Sequence, residues 1–323
     1  MPPHEKGWVR SQNRPFHDIL VMLIQRNNSS GQGGSIMDMT MDCLREKYKN
    51  CVITPVTGGG TNELYAVSRN GGTRLVKVAG ISSEDTVNEY NALQLLAEAN
   101  ETPKVYDLFY IGHRAAIEME FIRGRNMLDL ILEQNDRQNI YLYFEKLGRV
   151  LSNLHSQRLT GAGTSRKGIE VRSNTVNDFE SFLEIDYVPR EILNEAVGML
   201  KRIRLRDDES ILTHGDYGYH NVLIAEDGTA KVIDWEFAEL NHPLNDIANV
   251  FFWTHLHSSE DAKERCRRFI SAYAENAPIR DEGLLMPFCV YKVLLIMKRT
   301  LNLPDHVKNE WVRRLRWVMS EQF

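Results

Sequence analysis

Between His214 and Asp234 the chain carries its most restrictive pattern: two short apolar runs, Val222-Leu223-Ile224 and Val232-Ile233, on either side of Asp227-Gly228. An Asp-Gly pair between apolar runs is a strong local signal for a β-hairpin, because both residues tolerate the positive φ that tight hairpin turns require. Polar residues mark its ends: Asp216 and Asn221 precede the hairpin, and Asp234 closes it. An acid, an amide five residues on and a second acid past a hairpin suit Mg²⁺-assisted phosphoryl transfer. In that chemistry one carboxylate orients an attacking hydroxyl, while the amide and the other carboxylate hold metal on the nucleotide phosphates. Asp216 is thus the candidate catalytic residue, Asn221 and Asp234 are candidate Mg²⁺ ligands, and ATP is the expected phosphate donor. Three unrelated polar residues in loops would leave the same letters, so the upstream half of the chain has to decide.

Upstream, Gly58, Gly59 and Gly60 interrupt two strand-like runs, residues 51–55 and 63–68, and Asn70-Gly71 turns the second run into a third at 73–78. A glycine-rich turn between strands lets backbone N–H groups approach phosphate oxygens, although a plain glycine loop reads the same way. Lys77 sits among Leu75, Val76 and Val78. A lone ammonium on an apolar strand is costly unless an anion meets it. A helix over 84–97, with Val87, Tyr90, Leu93, Leu95 and Leu96 on its apolar side, carries Glu89, which can brace Lys77 or simply face solvent.

Two further strands are expected near 104–111 and 115–121, after which Ile122-Arg123-Gly124-Arg125 marks a change from strand to helix periodicity. That change divides the chain into a nucleotide-binding N-terminal lobe over 37–122 and a helical C-terminal lobe over 123–323, with Glu120 and Ile122 at the hinge as candidate adenine contacts. Residues 1–36, rich in Asn, Ser and Gly near 27–34, read as a flexible extension. A first helix is expected over 41–48. In the second part helices are expected near 126–134, 137–157, 176–185, 189–204, 243–253, 259–275, 281–301 and 306–321.

Other classes are disfavoured by composition. No apolar run approaches the ~18 residues of a membrane span, and no basic stripe interleaved with aromatics points to nucleic acid. Cys43, Cys51, Cys266 and Cys289 are scattered with no CxxC pair, which favours a reducing cytoplasm over a disulfide framework or zinc site. Residues 176–260 hold 17 Asp/Glu against 6 Lys/Arg, whereas 261–323 hold 12 basic and 8 acidic residues. Solvated helix faces account for much of this; the functional reading is a negative rim that draws a cationic substrate.

Taken together, residues 215–223 (GlyAspTyrGlyTyrHisAsnValLeu), 232–238 (ValIleAspTrpGluPheAla) and 246–253 (AspIleAlaAsnValPhePheTrp) resemble the aminoglycoside phosphotransferase and choline kinase superfamily. The likeness covers about residues 50–320 and is nearest to hygromycin B phosphotransferase-like members, whose branch the Gly161-Ala162-Gly163 loop also resembles. The resemblance implies an α+β, bilobal, protein-kinase-like fold: a small antiparallel-sheet N-lobe with one main helix and a larger, mostly helical C-lobe. It implies an ATP- and Mg²⁺-dependent small-molecule kinase, acting as a monomer or weak homodimer on an alcohol. An aminoglycoside-type antibiotic is the first choice of acceptor, and a choline- or ethanolamine-like alcohol the second. A catalytically silent nucleotide-binding protein on the same fold is the rival from another class. By the same resemblance Asp216 is the catalytic base and Lys77 contacts phosphates with Glu89 behind it. His214 organises the catalytic loop, and Asp246 buttresses it. Tyr219 stands where some members place an acid facing the sugar, so Tyr219 and Glu236 are the candidate substrate contacts.

Overall fold

A computed structural model describes residues 33–57, 62–157, 172–173, 179–203 and 210–321, with backbone only for 33–38 and 172–173. They group into two compact units, one of Ser83 and what precedes it plus Asp107–Met119, the other of Glu84–Tyr106 plus Glu120 onward.

The first unit is built on a five-stranded sheet of β1 (Val52–Val56), β2 (Glu63–Arg69), β3 (Gly72–Val78), β4 (Val105–Ile111) and β5 (Arg114–Glu120), in the order β1-β2-β3-β5-β4. Asn70 and Gly71 turn the β2–β3 hairpin with φ of 48° and 84°, as an Asn-Gly pair is suited to do. Helix α1 runs over Gly33–Lys47, so it starts well before the expected 41 and takes in two glycines read as linker. Tertiary anchoring outweighs their poor helix propensity. Leu44 is fully buried with Tyr65, Val67, Val76, Val78 and Ala116, and Lys47 reaches Asp107 at 2.8 Å with its ammonium 4.2 Å over the Phe109 ring. Residues 1–32 of the expected extension lie outside the described residues, as do Gly58, Gly59 and Gly60.

In the second unit, α2 (Ser83–Leu95) buries Asn88, Glu89, Ala92 and Leu93. Strand β6 (Gly124–Asn126) leads into α3 (Met127–Leu132), whose first turn is capped by Asn126: Leu128 N–H donates to Asn126 Oδ1 at 2.8 Å. Helix α4 (Arg137–His155) packs along α7 (Ala262–Ala274) through Phe144, Leu147, Leu151, Phe269 and Tyr273, all buried. The expected hairpin is present as β9 (Val222–Ala225) and β10 (Ala230–Val232), antiparallel, with Lys231 opposite Leu223 and Gly228 at φ 84°. Asp227 tightens that turn by accepting from the Thr229 N–H at 2.9 Å.

Where a helix was expected over 176–185, the described part is a 3₁₀ turn, Phe179–Glu184. Its three-residue repeat places Phe179 and Phe182 on one side, edge-on to Tyr291 with ring centroids 6.3 and 5.9 Å away. After α5 (Arg190–Leu200) come the short strands β8 (Ile211–Thr213) and β11 (Glu239–Asn241), which pair with each other; β11 also pairs with β7 (Arg172–Ser173) on its other edge. Helix α6 spans Leu244–His257, continuing a turn past the expected Trp253. It lies against α8 (Leu285–Arg299), and α9 (Asp305–Ser320) completes the described chain. Among the described residues no helix is long and apolar enough to cross a membrane.

Candidate active site

The catalytic loop leaves β8 at Thr213 and returns to the backbone ladder at Val222. His214 spans it. The Ile233 carbonyl can only accept, so the His214 Nε2 at 2.9 Å carries the hydrogen, and Nδ1 is then the acceptor for Asp216 N–H at 3.2 Å. Burial lowers the His214 pKa against the opposing pull of Asp246, which keeps the ring neutral and this tautomer in place. Gly215 follows with φ 81°, and a Cβ there would fall 2.0 Å from the Phe237 carbonyl oxygen, so no other residue fits without moving backbone. Together these contacts set the Asp216 side chain. Its Oδ1 accepts from Asn249 Nδ2 at 3.2 Å, its Oδ2 from Asn221 Nδ2 at 3.3 Å, and His220 Nε2 stands 3.4 Å from the same Oδ2.

Beneath the loop, Asp246 on the first turn of α6 is wholly buried and holds two successive amides, Gly215 N–H on Oδ1 at 2.9 Å and His214 N–H on Oδ2 at 2.7 Å. Burial alone would raise its pKa, but the hydrogen bond from His155 and the nearby His214 and Lys292 bring it below the ordinary carboxylate value. His155 Nε2 lies 3.1 Å from Asp246 Oδ2 and Nδ1 lies 2.9 Å from the Tyr273 hydroxyl, a buried chain running from α7 through α4 to α6. Lys292 of α8 donates to the Gly215 carbonyl. Burial pushes its ammonium pKa down, while Asp246, Glu239 and Asp216 pull it back up. Asp246, expected to buttress the loop, holds its backbone through the hydrogen bonds from His214 and Gly215.

Asp234 has φ 67° and ψ 58°, a left-handed conformation that L-residues seldom adopt outside functional or turn positions. Both neighbours are tied: Ile233 N–H donates to the Asn221 carbonyl at 2.9 Å, and Trp235 N–H to Glu89 Oε1 at 3.3 Å. Asn88, beside Glu89 on α2, donates to the carbonyls of Glu236 and Ala238 at 3.1 and 2.9 Å. Carboxylate oxygens of Glu89, Asp234 and Glu236 all lie within 4.8 Å of one another. Asn221 spends its amide nitrogen on Asp216, through the carbonyl at 2.9 Å as well as the carboxylate. Its Oδ1 therefore remains as the atom suited to a metal. This all-oxygen, partly anionic set fits a hard divalent cation such as Mg²⁺.

The remaining expected residues fall in different places. Lys77 belongs to the first unit and is 7% exposed on β3, opposite Leu64. Glu89 belongs to the second, as do Glu120 and Ile122. Glu120 is fastened to Lys104 twice, by its own N–H to the Lys104 carbonyl at 2.8 Å and by the Lys104 N–H to its carboxylate at 3.1 Å. Tyr219, a candidate acceptor contact, packs inward. It is 8% exposed with its ring 5.8 Å from Phe144, and burial pushes its hydroxyl up to about 12. Its aromatic body gains more from the core than a polar opening would offer. Glu236 is nearly buried and contributes to the carboxylate group described above.

The acidic stretch over 176–260 also reads differently in three dimensions. Asp216, Asp234, Glu236, Glu239 and Asp246 belong to the interior around the loop, where Lys292 and His155 face them, and Asp178, Asp207, Asp208 and Glu209 lie outside the described residues. Four residues that sequence reasoning passed over prove central: Asn249, His155, Tyr273 and Lys292. Only Lys292 carries a signal in the sequence, as a single cation inside Val290-Tyr291-Lys292-Val293-Leu294, the same anomaly that drew attention to Lys77.

The profile of the phosphotransferase enzyme family matches residues 52–279. Human acyl-CoA dehydrogenase family member 11 is 29% identical over 146 residues, 42% of this chain but 18% of the human protein, so the chain spans under a fifth of that relative. Among solved structures, a thermostable mutant of aminoglycoside phosphotransferase APH(4)-Ia, in ternary complex with ADP and hygromycin B, superposes with a TM-score of 0.65 at 16% identity, covering 86% of this chain and 97% of that one. The choline kinase LicA from Streptococcus pneumoniae gives 0.61 at 19% identity, over 89% of this chain and all of its own. At these identities the likeness establishes a shared fold.

Proposed function

Since the chain belongs to the phosphotransferase enzyme family, we propose that it is an ATP- and Mg²⁺-dependent kinase that moves the terminal phosphate of ATP to a hydroxyl of a small molecule. The observation that carries the reading is the state of Asp216: one carboxylate whose two oxygens are held by two different amides, on a loop whose backbone Asp246 and Lys292 fix from below. Such a group orients a hydroxyl for in-line attack and takes the proton that the hydroxyl gives up as its oxygen bonds to phosphorus. Because its hydrogen-bond partners are already in place, little reorganisation remains for the reaction itself. Asn221 Oδ1 and the Asp234 carboxylate would hold Mg²⁺, which when bound neutralises phosphate charge. Lys77 would contribute its ammonium to the same phosphates, and Glu120 and Ile122 would meet the adenine.

The two structural neighbours act on, or are crystallised with, different alcohols, so hygromycin-type aminoglycosides and choline-like alcohols both belong among the acceptors to try. The test is a coupled ADP-release screen over aminoglycosides, choline, ethanolamine, sugars and hydroxy acids, run with and without Mg²⁺. Mg²⁺-dependent ADP release with an alcohol is expected, together with a loss of about 10³-fold or more in Asp216→Ala at unchanged ATP binding. ATP binding without ADP release across the whole panel would overturn the reading in favour of a silent nucleotide-binding protein.

A further inference from the structure

Between the start of α6 and the connection that leaves α7 lies a cavity of about 190 Å³, lined by none of the residues assigned above to phosphate, metal or acceptor. Leu244, Ile247 and Tyr273 line it from the interior, each at most 2% exposed, and Pro243, Pro278 and Ile279 line it nearer the surface. Five of these six side chains are wholly hydrocarbon. The hydroxyl of the sixth, Tyr273, is already engaged 2.9 Å from His155 Nδ1. An apolar cavity of ~150 Å³ accepts benzene, so this one has room for a single six-membered ring with a small substituent.

Two polar residues complete the lining, and both offer hydrogens. Arg280 is exposed and forms no ion pair among the described residues. His242 takes the Leu244 N–H on Nδ1 at 3.2 Å, so its neutral ring carries the hydrogen on Nε2 and can only donate there. No acidic residue lines the cavity. A carboxylate on the ligand therefore meets a guanidinium at the rim, whereas an ammonium group finds no counter-charge.

The lining is also part of what supports the catalytic loop. Leu244 and Ile247 stand on either side of Asp246 in the chain, and the N–H groups of Asp246 and Ile247 both go to the Pro243 carbonyl, at 3.2 and 3.4 Å. Tyr273 reaches the same Asp246 carboxylate through His155. Two routes thus run from the cavity to the residue that holds the His214 and Gly215 amides.

We infer that this cavity is a binding site for a small cyclic carboxylate, a monoanion of about the size of benzoate, and that its occupant steadies Asp246 and the loop above it. The ring lies among Leu244, Ile247 and Pro278, and the carboxylate meets Arg280. Because the ligand binds the arrangement in which Asp246 already holds the loop, occupancy favours that arrangement over any looser one.

The test is calorimetric titration of the full chain with benzoate, with benzylamine and acetate for comparison, and repeated in the presence of ATP. Benzoate should bind with a Kd of about 1 mM or tighter, at least about tenfold better than either comparator, and within about twofold of the same Kd when ATP is present. Arg280→Ala should weaken it about fivefold. Ile279→Trp, which fills the mouth of the cavity from a half-exposed position, should weaken it more than about tenfold. Hydrogen exchange of the peptide holding His214 and Gly215 should slow about twofold or more at saturating benzoate in the wild type, and not in Ile279→Trp. No binding by about 20 mM benzoate overturns the site, as does equal binding of benzylamine, displacement by ATP, or a Kd that neither substitution moves. Unchanged exchange with benzoate bound overturns the link to Asp246. None of these readouts needs an acceptor or turnover, so their outcome is separate from that of the kinase reading.

Discussion

Asn249 donates to Oδ1 of Asp216 at 3.2 Å, the carboxylate oxygen that Asn221 leaves to it. The same amide nitrogen reaches the Tyr217 carbonyl at 2.9 Å, so one side chain on α6 holds both the reacting group and the backbone next to it. Asn249→Ala should lower kcat about 10- to 100-fold, with KM for ATP unchanged and a stability loss of about 1 kcal/mol. Steady-state kinetics and a thermal melt measure both, and a variant with wild-type kcat would show that the carboxylate is held well enough without it.

Asp234 sets function against stability. A left-handed conformation is free of steric cost only for glycine. Asp234→Gly should therefore match the wild type in unfolding free energy, or exceed it by up to about 1 kcal/mol, while losing Mg²⁺-dependent nucleotide binding. Denaturant unfolding and titration of nucleotide with and without Mg²⁺ test this. Full retention of metal-dependent binding would remove Asp234 from the ligand set.

His214 gives the fold a pH dependence whose sign follows from its depressed pKa. The unfolded chain binds a proton near pH ~6.5 and the folded one only at lower pH. The stability linked to His214 is therefore complete above about 6.5 and is lost as pH falls toward the folded value. Protonation would also place a hydrogen on Nδ1, facing the Asp216 N–H that now donates to it. His255 shifts in the same direction, so the informative quantity is a difference: His214→Gln should be less stable at pH 7.5, with a shallower loss between 7.5 and 5.5. Parallel melting curves for the two proteins would contradict it.

Thiol chemistry separates the cysteines. Cys43 is exposed and Cys51 partly so, whereas burial pushes Cys266 up to about 12 and Cys289 well above its ordinary value. Alkylation of the native protein near pH 8 should mark Cys43 first and Cys51 more slowly, leaving Cys266 and Cys289 for the unfolded chain. Peptide mass spectrometry reads the order directly, and early labelling at Cys266 would mean that α7 opens locally.

Much of this was written in short-range chemistry. Asp227-Gly228 and Asn70-Gly71 specify their hairpins through backbone preferences that need no partner, and the long helices announce themselves through apolar spacing. Asp216, Asn221 and Asp234 stand out because their order and spacing belong to one reaction. What stayed hidden depends on contacts distant in sequence. Asn249 looks like any polar residue on a helix, His155 like the end of one, and Tyr273 like core; only the fold joins them to Asp216 or Asp246. Strands of three residues, such as β8 and β11, are too short to show a period. Tyr219 stands next to the catalytic motif, and nothing in its neighbours along the chain shows that its ring packs against Phe144.

Helix α6 meets the chemistry at successive turns: Asp246 under the loop, Asn249 at the carboxylate, then Trp253 and His257 progressively farther away. A helix of this kind divides its duties along its length. Substitutions in its first half disturb the loop and the carboxylate directly, whereas those at buried positions farther along, such as Phe252 and Thr254, act through packing alone. One helix thus ties the proposed reacting carboxylate to the core of its unit, so that whatever loosens the packing around Phe252 also loosens the geometry at Asp216.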